Sequence, residues 1–185
     1  ISFETFKKQV LEDYRLIVTS REASLLGRRE VLNGKAKFGI FGDGKELPQI
    51  ALSKVFQKGD YRSGYYRDQT FMMSIKELTV KQLFSGLYAN TDINEEPMSA
   101  GRQMGAHFNT PFLNKDGSWK NLIDLKNSSS DVSCTGSQMP RLLGLAQASK
   151  LYRKLKIKNS SKFSNNGNEI AWGTIGNAST SEGVF

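Results

Sequence analysis

IAWGTIGNASTSEGVF, residues 170–185, closes the chain, and its reading decides the fold. The apolar run Ile170–Ile175 predicts a buried strand, and Gly176 opens a tight turn behind it. Ser179-x-x-Glu182 has the spacing of a capping box, in which a hydroxyl and a carboxylate satisfy the first free amides of a helix. A strand that feeds a helix start through a glycine turn offers N–H groups to an anion. Together these features predict an α/β domain whose parallel sheet has only just begun.

The remaining 169 residues set limits on what such a domain does. At 185 residues, 38% hydrophobic and 24% charged, the chain suits one globular domain or part of a larger one. No apolar run approaches the ~20 residues that span a bilayer, and no secretory signal pattern opens the sequence. A single cysteine, Cys134, excludes an internal disulfide framework and points to a reducing, cytoplasmic setting. With one histidine, His107, it also excludes a Cys/His zinc site of about four ligands. The net charge of +8 is densest in KLYRKLKIKNSSK, residues 150–162. That stretch lacks interleaved Phe or Trp stacking platforms, so it reads as a solvated helix end in preference to a nucleic-acid patch.

Helical spacing dominates the first half. Phe6, Val10, Tyr14, Ile17 and Val18 form one apolar stripe, expected in the core. Thr19-x-x-Glu22 predicts the start of a second helix that stops at Asn33-Gly34. Glu46–Phe56 predicts a third. Thr79-x-x-Gln82 predicts a fourth, with Val80, Leu83, Phe84, Leu87 and Tyr88 on one face. From Thr91 to Ser137 periodicity gives way to a polar tract rich in Asn, Ser, Gly and Asp, and loops of that length carry function or disorder. Pro140 falls near the first turn of a long helix running to about Lys156. A polar linker then reaches the final strand. The expected layout is one partial domain, 1–185, with a helical region to about 90, a loop-rich region to about 137, and a helix–strand–turn segment after it.

Four patterns carry chemistry. Gly39, Gly44 and Lys45 fit the phosphate-cradling G-x-x-x-x-G-K, but Glu46 stands where a Mg²⁺-ligating Ser or Thr belongs. With hardly a strand before it, the pattern reads as a glycine turn ahead of a helix. GYYRDQT, residues 64–70, combines tyrosine hydroxyls with an arginine fork suited to phosphate, or it is a surface turn with its own Arg–Asp pair. GRQMGAHF places His107 in a loop beside Arg102 and Gln103, where it either handles protons or is structural. SCTGSQ, residues 133–138, offers hydroxyls and an amide ahead of a helix, or an N-cap cluster. Cys134 has no histidine next to it in sequence to make it a nucleophile.

The order of these patterns resembles one family. It is the alpha subunit of the thiamine-diphosphate-dependent 2-oxo acid dehydrogenases, the decarboxylating component of the branched-chain and pyruvate dehydrogenase complexes. The resemblance spans roughly Tyr14 to Phe185, and GRQM-x-x-H and the terminal G-x-x-x-x-SEG carry most of it. It implies the thiamine-diphosphate-binding fold of transketolase-like type, here as a mostly helical N-terminal fragment ending at the first sheet strand and its phosphate-binding turn. It implies thiamine diphosphate and Mg²⁺ as cofactors, with K⁺ in some members. The implied activity is decarboxylation of a 2-oxo acid and transfer of the acyl group to lipoyl.

Residue by residue, the resemblance assigns Tyr66 and Arg67 to the diphosphate and His107 to the substrate end. Phe38 and Tyr65 fall where the family lines its 2-oxo acid pocket. Ser133 and Thr135 match positions that meet the aminopyrimidine or diphosphate, and Ser137 and Gln138 match a potassium site. The terminal turn maps Gly176, Ala178 and Ser179 to close backbone approach and phosphate, and Asn177 to Mg²⁺. The family has an acidic residue at that last position. Asn177 keeps a carbonyl oxygen for a hard cation but removes a negative charge. Cys134 likewise replaces the family's usual proline.

The implied partners are a beta subunit, or fused beta half, that carries the activating glutamate, and a lipoyl-bearing acyltransferase. Neither a membrane nor nucleic acid is among them. A final strand with no parallel neighbour would leave ladder groups unpaired, which predicts a fragment of a longer polypeptide, inactive alone. Two alternatives belong to other classes: a non-catalytic assembly or binding module with a degenerate metal site, kept open by Asn177, and a basic nucleic-acid-binding domain.

Overall fold

Ser2 and Asn33 bracket the longest element. The Ser2 hydroxyl accepts the Thr5 N–H at 3.2 Å, and the chain leaves helix α1, Phe3–Leu32, through Gly34 at φ +74°. A computed structural model describes all residues, 1–185, as a mixed α/β protein. The further helices are α2, Glu46–Val55; α3, Gln69–Ser74; α4, Val80–Leu87; and α5, Gln138–Lys154. Three short strands, β1 (Tyr61–Ser63), β2 (Asn127–Ser128) and β3 (Ala171–Gly173), form one parallel sheet in the order β2-β1-β3. No helix is long and apolar enough to cross a membrane.

By its internal packing the chain divides into two compact units. The first comprises Ile1–Val55 and Arg67–Ala106, the second Phe56–Tyr66 and His107–Phe185.

In the first unit, α1 turns a narrow face of small residues inward: Ser20, Ala23, Ser24 and Gly27 are buried. Their i, i+3, i+4, i+7 spacing puts them in one row. The row accepts α3 at short range: Ser20 Oγ lies 2.6 Å from Thr70 Oγ1, and the Gln69 amide donates to Ser24 Oγ at 2.7 Å. At Gly27 a Cβ would sit 2.3 Å from the Phe41 ring, so only glycine lets that ring close over α1. α4 opens with a complete capping box between Thr79 and Gln82 and buries Leu83 and Leu87. Its C-cap residue Tyr88 donates a hydroxyl to Glu30 of α1 at 2.6 Å.

Two sequence expectations fail in this unit. Thr19-x-x-Glu22 does not start a helix, because α1 runs through it without a break. The pattern is a necessary mark of a capping box, but nothing ahead of Thr19 stops the preceding helix. The expected core stripe is also not core, since Phe6, Val10, Tyr14 and Val18 are exposed. The Gly39–Lys45 segment, by contrast, is the turn its glycines suggested. The Glu46 carboxylate accepts the Gly44 N–H at 3.0 Å and receives Arg21 at 2.6 and 2.9 Å, which leaves it occupied by the protein itself.

The second unit is built on the sheet. β1 lies in the middle, flanked by β2 and β3, and α5 packs on β1 and β3. Asp60 locks the register: its carboxylate accepts Ile170 N–H at 2.7 Å, Trp172 Nε1–H at 2.8 Å and Gln57 N–H at 2.9 Å. The terminal strand is therefore the third of its sheet and not the first, and it has a parallel partner in β1. It is also shorter than Ile170–Ile175 and only half-buried, because it occupies the sheet edge. Beyond it a 3-10 turn, Asn177–Ser181, replaces the expected helix start. Gly176 caps that turn without a side-chain bond, so the Ser179–Glu182 capping box does not form.

Candidate active site

Arg62 and Asp131 lie 69 residues apart and form the buried centre of the second unit. Their side chains are 2% and 0% exposed. The guanidinium donates to both carboxylate oxygens, at 3.0 and 3.1 Å, and its Nη1 and Nη2 also reach Ser128 Oγ at 2.7 Å and the Tyr65 carbonyl at 3.1 Å. Asp131 also accepts the Phe108 N–H at 3.0 Å. A buried charge is tolerated only when paired and hydrogen-bonded on this scale. Space for the guanidinium comes from Gly64, where a Cβ would stand 2.3 Å from it. That is the physical role of the glycine that opens GYYRDQT.

The pair thereby ties three loops together: the exit of β1 at Tyr65, the start of the second long segment at Phe108, and the exit of β2 at Asp131. Each loop carries a residue that the sequence singled out. His107 precedes Phe108, Tyr66 follows Tyr65, and Ser133 follows Asp131 by two. The result is a hydrogen bond of 2.8 Å between His107 Nε2 and Ser133 Oγ. The histidine is 7% exposed and the serine is exposed, so one partner is held and the other is open to a ligand. Which of the two donates depends on the imidazole tautomer. The Tyr66 ring lies 6.2 Å from the imidazole at 34°, and the Tyr65 ring lies 5.2 Å from Tyr66.

The terminal turn joins this group. A Cβ on Gly176 would lie 3.6 Å from the Tyr65 ring, and one on Gly136 would lie 3.8 Å from the Ser179 carbonyl. Gly136 has φ +81°, a conformation that favours glycine, and it lets the 133–138 loop turn beside residue 179. Ser179 is buried, while Asn177, Ala178 and Thr135 are exposed. Gln138 is committed to structure: its side-chain amide donates to the Thr174 carbonyl at 3.0 Å, and its backbone carbonyl accepts Ser63 Oγ–H at 2.9 Å. Ser137 caps α5 without a side-chain bond, so the loop is not an N-cap cluster.

Two predicted residues belong to the first unit. Phe38 is exposed between α1 and α2. Arg67 lends its carbonyl to the Gln49 amide at 2.8 Å, and Gly42 packs tightly against the same carbonyl. The GRQ segment is also anchored there. Burial pushes the Glu96 carboxyl up, but donors from Ser99, Gly101 and Met98 outweigh that and hold it below its ordinary range. Arg62 and Asp131 are what sequence reasoning missed. No local pattern links them, and Asp131 stands in a serine-rich tract that reads as loop.

No protein-family model matches this chain, and no curated protein matches it either.

The resemblance implies thiamine diphosphate and Mg²⁺, which would meet the hydroxyls of this neighbourhood and Asn177. Ser133 Oγ meets His107, and Gly136 of the same loop stands beside Ser179 of the terminal turn. No group of three or more His, Cys, Asp or Glu is arranged to hold a metal. A Mg²⁺ carried by phosphate oxygens needs only one or two protein oxygens, however, and keeps water for the rest. The exposed Asn177 amide would supply one such oxygen to a phosphate-borne metal.

Proposed function

We propose that this chain is the alpha-type portion of a thiamine-diphosphate-dependent 2-oxo acid dehydrogenase, with the transketolase-like cofactor-binding fold. The observation that carries the proposal is the His107–Ser133 hydrogen bond, flanked by Tyr66 and backed through Tyr65 by the Gly176 turn. Residues from four separated motifs thus share one neighbourhood, in the set that the family resemblance assigns to cofactor and substrate. When bound, thiamine diphosphate supplies the electron sink that allows a 2-oxo acid to lose CO₂.

The chain's own contribution is binding, orientation and one proton. Tyr66 and the hydroxyls of Ser133 and Thr135 would hold the cofactor, Asn177 would ligate phosphate-borne Mg²⁺, and Tyr65 would border the 2-oxo acid. His107 Nε2, steadied by Ser133, would hold or release a proton at the substrate carbonyl oxygen. Phe38 and Arg67 are assigned to substrate and diphosphate by resemblance alone, as are Ser137 and Gln138 to K⁺. A beta portion would bring the activating glutamate, and a lipoyl-bearing acyltransferase would take the acyl group. A cytoplasmic setting belongs to the same reading.

A second reading has its own observation. Asn177 is neutral and exposed, and no carboxylate cluster accompanies it, which favours a non-catalytic module that keeps the fold without the metal. Titrating Mg²⁺–thiamine diphosphate into the chain while recording amide NMR spectra separates the two. The dehydrogenase reading expects weak binding, with shifts at residues 65–66, 107, 133–136 and 176–179. Shifts confined to the lysine-rich segment 150–162, or none at millimolar cofactor, would overturn it.

A further inference from the structure

The side of the sheet that carries α5 holds a hollow of about 200 Å³ that the proposed reaction does not use. Five rings line it: Tyr61 of β1, Phe112, Trp119, Tyr152 of α5, and Phe163. Aliphatic residues of α5 complete the wall. The rings stand as perpendicular pairs, Tyr61 with Phe112 at 87° and 6.2 Å, and Trp119 with Phe163 at 80° and 5.1 Å. The hollow is open to solvent at Trp119, which is 48% exposed, and ring faces carry the negative end of the aromatic quadrupole.

One charged residue lines the hollow, and it is an acid. Glu169 Oε2 accepts the Asn165 N–H at 3.2 Å. Burial first, and then the Glu169 charge, push the Tyr61 hydroxyl above its ordinary range. That hydroxyl donates to the Phe163 carbonyl at 2.9 Å, so it is already engaged. The chain has 26 lysines and arginines, and none of them lines this space. An apolar hollow made only to fill with hydrocarbon has no use for a carboxylate at its wall.

We infer that this hollow is an aromatic cage for a methylated ammonium group, with Glu169 as counter-charge. Aromatic faces that surround a cation, with a carboxylate beside them, are the arrangement that recognises quaternary ammonium. The volume agrees, because pockets for drug-sized ligands run to ~300–1,000 Å³ and this one admits only a headgroup or a side-chain tip. A free choline-like molecule and a trimethyl-lysine side chain present the same chemistry. The inference stands apart from the proposed dehydrogenase reaction and survives its failure.

The test uses the full chain and the two tryptophan indole signals in NMR spectra. Trp172 is hydrogen-bonded to Asp60 and does not line the hollow, so it serves as the internal control. The probes are choline, its neutral carbon isostere dimethylbutanol, and a peptide with one trimethyl-lysine. Choline or the peptide should move the Trp119 signal and leave Trp172 in place, and whichever binds more tightly identifies the source. The neutral isostere should bind about tenfold more weakly. Glu169→Gln should weaken the cation by about threefold or more without changing the isostere, and Tyr152→Leu should weaken both cations. A thermal melt of each variant checks that it is folded. The inference is overturned if the isostere binds as tightly as choline, if Glu169→Gln leaves the cation unchanged, or if no probe moves Trp119 at millimolar concentration.

Discussion

Asp131→Ala tests the centre of the candidate site. The substitution leaves the Arg62 guanidinium in place with its side chain 2% exposed, and removes both carboxylate oxygens that it contacts at 3.0 and 3.1 Å. It also strips the Phe108 N–H of its acceptor. Removing one partner of a buried pair costs about 3–5 kcal/mol, because the other charge stays buried without compensation. Whole domains are stable by only about 5–15 kcal/mol, so the second unit should lose roughly a fifth of its stability or more. Both tryptophans, Trp119 and Trp172, belong to that unit, and their fluorescence in a urea titration reports on it directly. The double variant Arg62→Met/Asp131→Leu should regain most of the loss, since well-packed apolar replacements of buried pairs are neutral or stabilising. A loss below about 1 kcal/mol in Asp131→Ala would mean that water or another group solvates Arg62, and the account of the pair as a dry anchor would be wrong.

Gly64→Ala places a Cβ 2.3 Å from the guanidinium and should destabilise the same fluorescence transition by about 1–3 kcal/mol, with Arg62→Met relieving it; an unchanged midpoint would refute the glycine's assigned role. The Arg21 hydrogen bonds hold the Glu46 carboxyl below its ordinary range, so its stabilisation is present above the unfolded carboxylate pKa of about 4.3 and is lost as pH falls through the folded value. The melting difference between wild type and Glu46→Gln, followed by circular dichroism, should therefore be full at neutral pH and shrink below about pH 4; a difference that grows on acidification would reverse the assignment. Asn177→Asp should tighten Mg²⁺–thiamine diphosphate binding if the turn holds metal, because a carboxylate is the harder and charged ligand. An equal rise in melting temperature with and without cofactor would instead favour the non-catalytic reading.

Much of the fold was legible where a signal is local. The Asn33-Gly34 stop, the Thr79–Gln82 capping box and the helix around Pro140 depend on residues within a turn of one another, and each stands in the structure. The strands were harder. β1 has three residues and β2 two, too few for an alternating pattern to emerge from the surrounding tract. β2 in particular lies in KNSSSD, whose serines and asparagine signal loop until tertiary pairing with β1 overrides them. Thr19-x-x-Glu22 misled for the opposite reason: its pattern is local, but whether a helix stops ahead of it is decided by the residues before it. The exposed Phe6–Val18 stripe shows that helical periodicity identifies a face and leaves its partner unnamed.

The candidate site divides along the same line. Tyr66, His107 and Ser133 were recognisable as chemical groups in turns and loops, yet nothing in the sequence could bring the Tyr66 ring to 6.2 Å and Ser133 Oγ to 2.8 Å from the imidazole. That juxtaposition is the work of Arg62 and Asp131, which the sequence presents as one basic residue in a short polar run and one acid in a serine tract. The physical reason the pair was invisible is also the reason it is effective. A charge pair buried this deeply contributes little net stability over apolar packing, but it tolerates only the geometry that satisfies all of its donors and acceptors. Its bonds to the Tyr65 carbonyl, Ser128 Oγ and Phe108 N–H fix three loops at once, each a few residues from a functional side chain. An apolar core in the same place would hold the sheet together equally well and leave His107 and Ser133 free to drift apart. The buried ion pair is therefore read as the positioning element of the site, and stability alone would not account for it.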